Sequence, residues 1–197
     1  MKIIITTFLL VLTLTTSLAQ NKTENSKHML FKGVPINGKL NEYVLKMKKT
    51  GFTHIGTERG IAMLKGDFAG YKSCTIGVAT LKQKDLVSKI SVIFPENDTW
   101  STLSSNYFDL KELLTEKYGE PSQVVEKFDT SYEPRDDNSR MHKVGMDSCK
   151  YYTTYETEKG SIQLAIDHNG FISYYVTLSY FDKINSKIIR DKAKRDL

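Results

Sequence analysis

Histidine and cysteine are the residue types in this 197-residue chain that could most readily bind a metal or carry out acid–base chemistry. The four histidines are His28, His54, His142 and His168. Their spacing matches none of the H-x-H, H-x-x-x-H or H-E-x-x-H patterns that bring two imidazoles to one metal ion. The sequence also lacks a G-x-S-x-G nucleophile turn and the spacing of a calcium loop. We therefore predict no local metal site and no cofactor.

A polar segment at residues 129–148 contains the histidine with the most suitable neighbours for catalysis. His142 shares this segment with several aspartates and with Arg135 and Arg140. Because a positioned imidazole can transfer protons, these three residues are weak candidates for a hydrolytic site; incidental surface charge is the alternative. The segment has almost no apolar periodicity, so we expect a functional loop, a long mobile hairpin or disorder.

Cys74 and Cys149 are the only cysteines. Reactive or metal-binding pairs usually lie close together as C-x-x-C, whereas these two are far apart in the chain. In an oxidising compartment such a pair favours a structural disulfide. Two free buried thiols are the alternative.

The N-terminus has the pattern of a secretory signal peptide. Lys2 precedes an apolar run, and Ser17 and Ala19 are the small residues that signal peptidase prefers. The run is shorter than the ~20 apolar residues of a membrane span. We predict a signal peptide at residues 1–19, a flexible leader at 20–29 and a single α+β domain at 30–197; an uncleaved N-terminal anchor is the alternative. The cleaved protein is expected in the periplasm or outside the cell, without membrane insertion.

Positive charge is in excess but spread along the chain. Lysine and arginine number 28 against 23 aspartates and glutamates, a formal net charge of +5. The dense basic runs, at 46–49 and 187–195, fall in predicted helices and indicate solvated faces. An exported protein has little access to nucleic acid, so we expect no nucleic-acid partner.

The periodicity of apolar residues predicts an α+β fold. Spacings of three and four predict a helix over 39–50 and a longer one from a cap at Asp98 or Thr99 to Tyr118. A basic helix closes the chain from about Asn185, and residues 122–128 form either a short helix or an extended link. Alternation with period two predicts an antiparallel sheet of about seven strands, with helices on one face. The predicted strands lie near 52–58, 61–68, 73–81, 87–94, 151–157, 161–167 and 171–181.

The order of a helix followed by a strand meander occurs twice, at 31–95 and 99–181. The two segments are either tandem repeats or a coincidence in a chain of short turns.

Tyrosine is abundant on the last predicted strands, where alternation divides it between two faces. Tyr152, Tyr175 and Phe181 have the parity opposite to the aliphatic residues of the same strands. If the Asn169–Gly170 turn sets the register, these three form an exposed aromatic patch. Exposed aromatic residues bind proteins or carbohydrates well, although tyrosine also suits any half-buried strand.

Three segments resemble an uncharacterised family of small exported proteins from Bacteroides-type gut bacteria. They are FKGVPINGKLNEYVLKMKKTGFTH, GDFAGYKSCTIGVATL and LKELLTEKYGEPSQVVEKF. The helix-plus-meander order is also similar to the β-lactamase-inhibitor-protein fold and to outer-membrane assembly lipoproteins. Neither resemblance implies a catalytic activity. We expect an exported, non-enzymatic protein whose open sheet face binds another protein or a carbohydrate; the alternative is a small secreted hydrolase with a site near His142.

Overall fold

The computed structural model of the chain describes residues 26–81 and 85–195. The predicted signal peptide, at residues 1–19, lies outside the described residues. In the described part of the chain, no helix is both long enough and apolar enough to span a membrane.

The described residues form four helices and ten strands, which appear in the following order along the chain. The first half contains β1 (Leu30–Phe31), β2 (Val34–Pro35), α1 (Leu40–Lys49), β3 (Thr53–Glu58), β4 (Ile61–Phe68), β5 (Tyr71–Leu81) and β6 (Leu86–Ile93). The second half contains α2 (Trp100–Tyr118), β7 (Gln123–Phe128), α3 (Asp137–Gly145), β8 (Cys149–Thr157), β9 (Gly160–Asn169), β10 (Ser173–Asp182) and α4 (Lys183–Arg195).

Eight of the strands form one antiparallel sheet in the order β3-β4-β5-β6-β10-β9-β8-β7. The predicted α+β fold with a large antiparallel sheet is therefore confirmed. Of these eight strands, β7 is the one absent from the prediction, at residues 122–128 that the sequence left as a helix or a link; the short strands β1 and β2 outside this sheet were not predicted either. The strand β7 pairs with β8 in unbroken register from Gln123 opposite Thr154 to Phe128 opposite Cys149.

The sheet has two different faces because successive residues of a strand point in opposite directions. The core face is apolar, and α1, α2 and α3 pack against it. The hydroxyl of Tyr107 in α2 hydrogen-bonds Thr153, and Tyr155 donates to the Lys111 carbonyl, so α2 lies across β8. Core-face residues include Leu64, Ile76, Ile90, Leu164, Val176 and Leu178.

We call the opposite surface the open face. It carries the alternate residues of the same strands, which are mostly half-buried or exposed. The helix α4 borders this side, because it lines a groove with Glu156, Ser161 and Phe181. We expected all helices to lie on one face of the sheet. This expectation is wrong for α4, which borders the open face.

The polar segment 129–148 is more ordered than its composition suggests. Asp136 caps α3 by accepting a hydrogen bond from the backbone N–H of Ser139 at 2.9 Å. Met141 and Val144 lie one turn apart and are both buried. Two apolar residues are too few to produce a recognisable helical period in the sequence. Both are nevertheless buried where α3 packs against the sheet and α2.

The turn between β9 and β10 also differs from its prediction. Asn169 pairs with Ser173, so the loop contains three residues, Gly170 to Ile172, rather than the two-residue Asn169–Gly170 turn. A two-residue turn at that position would place Ile166 opposite Ser173. The observed register instead pairs Ile166 with Val176, which keeps both aliphatic side chains on the core face.

A polar clasp of Asp182 and Asn185 ties both ends of the described chain to the sheet. The carboxylate of Asp182 accepts hydrogen bonds from the backbone N–H of Met29 at 2.8 Å and of Asn185 at 2.9 Å. It also lies 3.0 Å from Nδ1 of His28. The expected flexible leader, residues 20–29, is therefore anchored at its last two residues.

The side chain of Asn185 completes the clasp. Its amide donates to the carbonyl of Ile36 at 3.1 Å and to the carbonyl of Val87 at 2.8 Å. Asn185 is only 1% exposed, so water cannot replace these bonds without local opening.

We predict that Asn185→Ala lowers the free energy of unfolding by about 2–4 kcal/mol, because a buried polar group left unpaired costs roughly 1–3 kcal/mol. Denaturant titration measures this change. Asn41→Ala, on the exposed side of α1, is the matched control and should shift stability by less than about 0.5 kcal/mol. Equal effects of the two substitutions would contradict the role of the clasp.

Candidate functional site

The open face is built from transverse rows of residues that the strand register aligns. One row, which we call the central row, runs from Gly77 through Ser91, Ser179 and Gln163 to Thr154. The hydroxyls of Ser91 and Ser179 are hydrogen-bonded at 3.0 Å across the strands β6 and β10. No side chain in this row is larger than glutamine, so the middle of the open face is smooth.

The next row toward α4 has a different character. It runs from Ala79 through Lys89, Phe181 and Ser161 to Glu156. The ammonium of Lys89 lies 4.9 Å from the centroid of the Phe181 ring, a cation–π contact. Burial lowers the pKa of Lys89 below its ordinary value, while the charge of Asp167 acts in the opposite direction.

Tyr152, Tyr175 and Phe181 all lie on the open face, and each is half-buried. Tyr152 pairs with Ala165, and Tyr175 pairs with Asp167. Tyr175 and Phe181 lie on the same strand at a separation of about 20 Å, at ~3.4 Å per residue. The structure therefore brings the three residues onto one surface but spaces them around its small polar centre.

A groove of about 520 Å³ follows the boundary between α4 and the open face. Its basic side chains outnumber its acidic ones and come from α4, which the sequence had indicated only as a solvated helix. They are Lys183, Lys187, Arg190 and Lys194, against Glu156 and Asp191.

The predicted disulfide is wrong for this fold, since Cys74 and Cys149 are both free. They lie on β5 and β8, which are separated by four inter-strand steps in the sheet. At about 4.8 Å per step the strands are roughly 19 Å apart, far beyond the ~7 Å Cα separation that a disulfide can bridge. Burial raises the pKa of the Cys149 thiol to about 12 and also raises that of Cys74.

The three loop candidates do not form a site with one another. Arg135 is exposed, and Nε of Arg140 donates to the carbonyl of Pro134 at 3.2 Å. His142 is exposed on α3, with its ring 5.5 Å from that of Phe171. Among the described side-chain hydrogen bonds, none joins His142 to a serine, threonine or cysteine that could serve as a nucleophile.

His168 lies on the β9–β10 hairpin and contacts Asp147 of the α3–β8 loop. Nδ1 of His168 is 2.8 Å from the carbonyl of Gly170, and Nε2 is 2.9 Å from a carboxylate oxygen of Asp147. Both partners are acceptors, and a doubly protonated imidazole can donate to both of them. In that state the pair links the α3–β8 and β9–β10 loops as an ion pair.

The pKa values of this pair follow from the same contacts. Burial lowers the pKa of His168, but the hydrogen bonds to Asp147 and Gly170 outweigh it, and the pKa is raised above its ordinary value. The hydrogen bond and the charge of His168 lower the pKa of Asp147.

Within residues 26–81 and 85–195, no three His, Cys, Asp or Glu side chains converge as a metal ion would require. Comparisons of the chain with protein-family models, with curated proteins and with solved structures return no match.

We predict that both thiols are free and unreactive until the protein unfolds, because burial disfavours the thiolate that alkylating reagents attack. Mass spectrometry after iodoacetamide should find few adducts on the folded chain and two adducts on the denatured, unreduced chain. If the denatured chain took up no adduct before reduction, the two cysteines would be joined by a disulfide and the prediction of free thiols would be contradicted.

We predict a pH-dependent link between the two loops. The stabilisation from the raised pKa of His168 is present below about pH 6.5 and is lost as pH rises through the folded pKa. The contribution of Asp147 is present above about pH 4 and is lost as pH falls through its lowered pKa. The link is therefore strongest between about pH 4 and 6.5.

An NMR titration of the imidazole resonances checks this prediction. The midpoint of His168 should lie above about 6.5 in the native protein and should fall in Asp147→Asn. Asp98→Asn, at an exposed position outside the two loops, should leave it unchanged. An unshifted His168 in the native chain would contradict the assignment.

Proposed function

We propose that the chain is an exported, non-enzymatic binding protein that contacts another protein through the open face of its sheet. The observation that carries this proposal is that, within residues 26–81 and 85–195, α1, α2 and α3 pack on the opposite face and α4 borders the open face at one edge. A sheet normally buries one face and leaves the other to solvent. An open face of this width can bury an additional partner.

The dimensions of the open face favour a macromolecule over a small ligand. Seven inter-strand steps of about 4.8 Å make the sheet roughly 34 Å wide. A standard protein interface needs about 800 Å² on each partner, which a surface of this width can supply.

The side chains around the central row support a protein contact. Tyr152 and Tyr175 offer large, half-exposed aromatic area beside small polar residues, the composition that suits interface anchors. Small residues such as Ser91 and Thr154, which are half-buried, let a partner approach the sheet closely. Neither tyrosine is part of the buried core, so both are free to contribute to binding.

The charge of the groove beside α4 favours an acidic partner. Four basic side chains against two acidic ones give this edge of the open face a net positive charge. Such an edge attracts a protein whose rim carries carboxylates and raises the rate of association at low salt. Of the two expected partner classes, this charge favours an acidic protein over a neutral carbohydrate.

The topology also supports a tandem origin for the fold. Each half consists of a helix followed by four antiparallel strands, with α3 inserted in the second half. The last strands of the two halves, β6 and β10, pair with each other, so the strand order is symmetric about this contact. We therefore propose that the fold consists of two tandem copies of one helix-plus-meander unit, as in the β-lactamase-inhibitor-protein fold. We also propose that the chain is related to the small exported gut-bacterial proteins that three of its segments resemble.

Affinity capture from envelope and culture fractions of the source cells tests the function. We predict that Tyr152→Ala and Tyr175→Ala each weaken capture of the same protein by roughly fivefold, about 1 kcal/mol. The melting temperature should stay nearly constant, because these side chains lie outside the core. Thr177→Arg, which places a bulky charge on the open face, should abolish capture.

Ser105→Arg, on the exposed side of α2, is the matched control and should capture as the native chain does. A captured protein that depends on Ser105 but not on Thr177 would overturn the proposed face. Capture that survives 1 M salt unchanged would contradict the acidic partner, since screening removes the charge contribution.

A further inference from the structure

A cleft of about 620 Å³ opens on the core-face side of the sheet, away from the open face. Three chain reversals enclose it. They are the β1–β2 turn at Lys32 and Gly33, the end of α2 at Lys117 and Tyr118, and the β8–β9 turn at residues 157–159. Its volume lies within the ~300–1,000 Å³ range of small-molecule sites.

The interior of the cleft is apolar. Phe31, Ile162 and Tyr180 form its buried floor, and Leu30 and Phe68 are half-buried at its wall. The rings of Phe31 and Phe68 are stacked with centroids 5.2 Å apart, and Phe31 meets Tyr180 edge-on at 5.3 Å. These contacts fix the aromatic side chains, so the cleft is formed without a ligand.

The rim has a net positive charge. Lys32, Lys117 and Lys159 each come from a different one of the three enclosing segments, while Glu158 is the acidic residue of the lining. The ammonium of Lys117 lies 5.0 Å from the centroid of the Tyr118 ring, which holds this lysine beside the opening. A ligand that fits both parts needs an apolar body and an anionic end.

We propose that this cleft binds an amphipathic anion, with a single apolar chain on the aromatic floor and a carboxylate or phosphate at the lysine rim. The shape of the cleft and the charge of its rim support this assignment independently. Burial, with a smaller contribution from Tyr118, raises the pKa of the Tyr180 phenol. Its hydroxyl therefore stays protonated, so the floor adds no negative charge that would repel the ligand.

This site is separate from the proposed protein contact. Ile162 and Tyr180 of the cleft point to the core side of the sheet, whereas Tyr152, Tyr175 and Phe181 point to the open side; Thr157, at the end of β8, borders both the cleft and the groove beside α4. Binding of a small molecule in the cleft therefore does not depend on whether a protein binds the open face.

Calorimetric titration with three ten-carbon probes below their micelle concentrations tests the proposal. Decanoate should bind with a stoichiometry of one, and decanol at least about tenfold more weakly. Decyltrimethylammonium, with the same tail and the opposite charge, should bind more weakly than decanol. Equal affinities for decanoate and decanol would overturn the role of the rim.

Two further measurements locate the site. Lys32→Glu combined with Lys159→Glu should weaken decanoate binding at least tenfold, while Lys65→Glu, on the opposite face of the sheet, should leave it unchanged. In the native chain, decanoate should shift the methyl resonances of Ile162 but not those of Ile61 on the open face. An unshifted Ile162 would overturn the proposal without relying on any variant.

A vesicle-binding experiment tests whether the anion that binds the cleft is a free acid or a membrane lipid. Both phosphatidylglycerol in vesicles and free decanoate have the proposed chemistry. Binding of decanoate alone assigns the cleft to a free amphipathic acid, and binding of both assigns it to the shared chemistry. Binding to vesicles with no binding of decanoate would overturn the proposal.

Discussion

The pairing of β6 with β10 is the contact on which the rest of the structure depends, because it joins two four-stranded meanders into one sheet. The residues that meet there are distant in sequence; Ser91 and Ser179 are 88 positions apart. Bringing them together costs loop-closure entropy that the local hairpins do not pay. The cost is offset on the core face, where Ile90, Val92 and Leu178 are buried at the junction. On the open face the same junction pairs Ser91 with Ser179 and Lys89 with Phe181, so that surface continues across both meanders.

The clasp at Asp182 extends this junction to the chain ends. Because Asp182 is the last residue of β10, its carboxylate stands at the end of the sheet and can bind the backbone of Met29. That contact holds the short β1–β2 hairpin against the core, with Phe31 packed on Tyr180. The β1–β2 hairpin forms one wall of the aromatic cleft, so the cleft exists only when the two meanders and the N-terminal hairpin are assembled.

Local periodicity is sufficient to predict α1, α2 and most strands of the sheet, because at these elements a helix cap or a glycine turn coincides with a change of period. It failed for β7, whose short run of residues 123–128 becomes a strand only because β8 offers it an edge. It also failed for the disulfide, since chain spacing says nothing about how many strands separate two cysteines. Tyr152, Tyr175 and Phe181 share the open face as alternation within the strands predicts, although the two-residue Asn169–Gly170 turn that was expected to set the register is not the one observed. The basic groove, the clasp and the His168–Asp147 pair each join segments distant in sequence, and no local pattern predicts such pairs.

Strand alternation explains how one sheet presents both of the surfaces for which we propose ligands. Tyr180 contributes to the aromatic cleft, and its neighbour Phe181 contributes to the open face. The same holds for Ile162 and Ser161 on β9. Because the strands between these side chains are held by a full set of backbone hydrogen bonds, neither surface can move far without the other. The cleft on the core-face side is enclosed by three chain reversals and has a volume of about 620 Å³, which suits a small molecule, whereas the open face has the width that a protein partner needs. The proposed division between a small amphipathic ligand and a macromolecule therefore follows from what covers each face of the sheet.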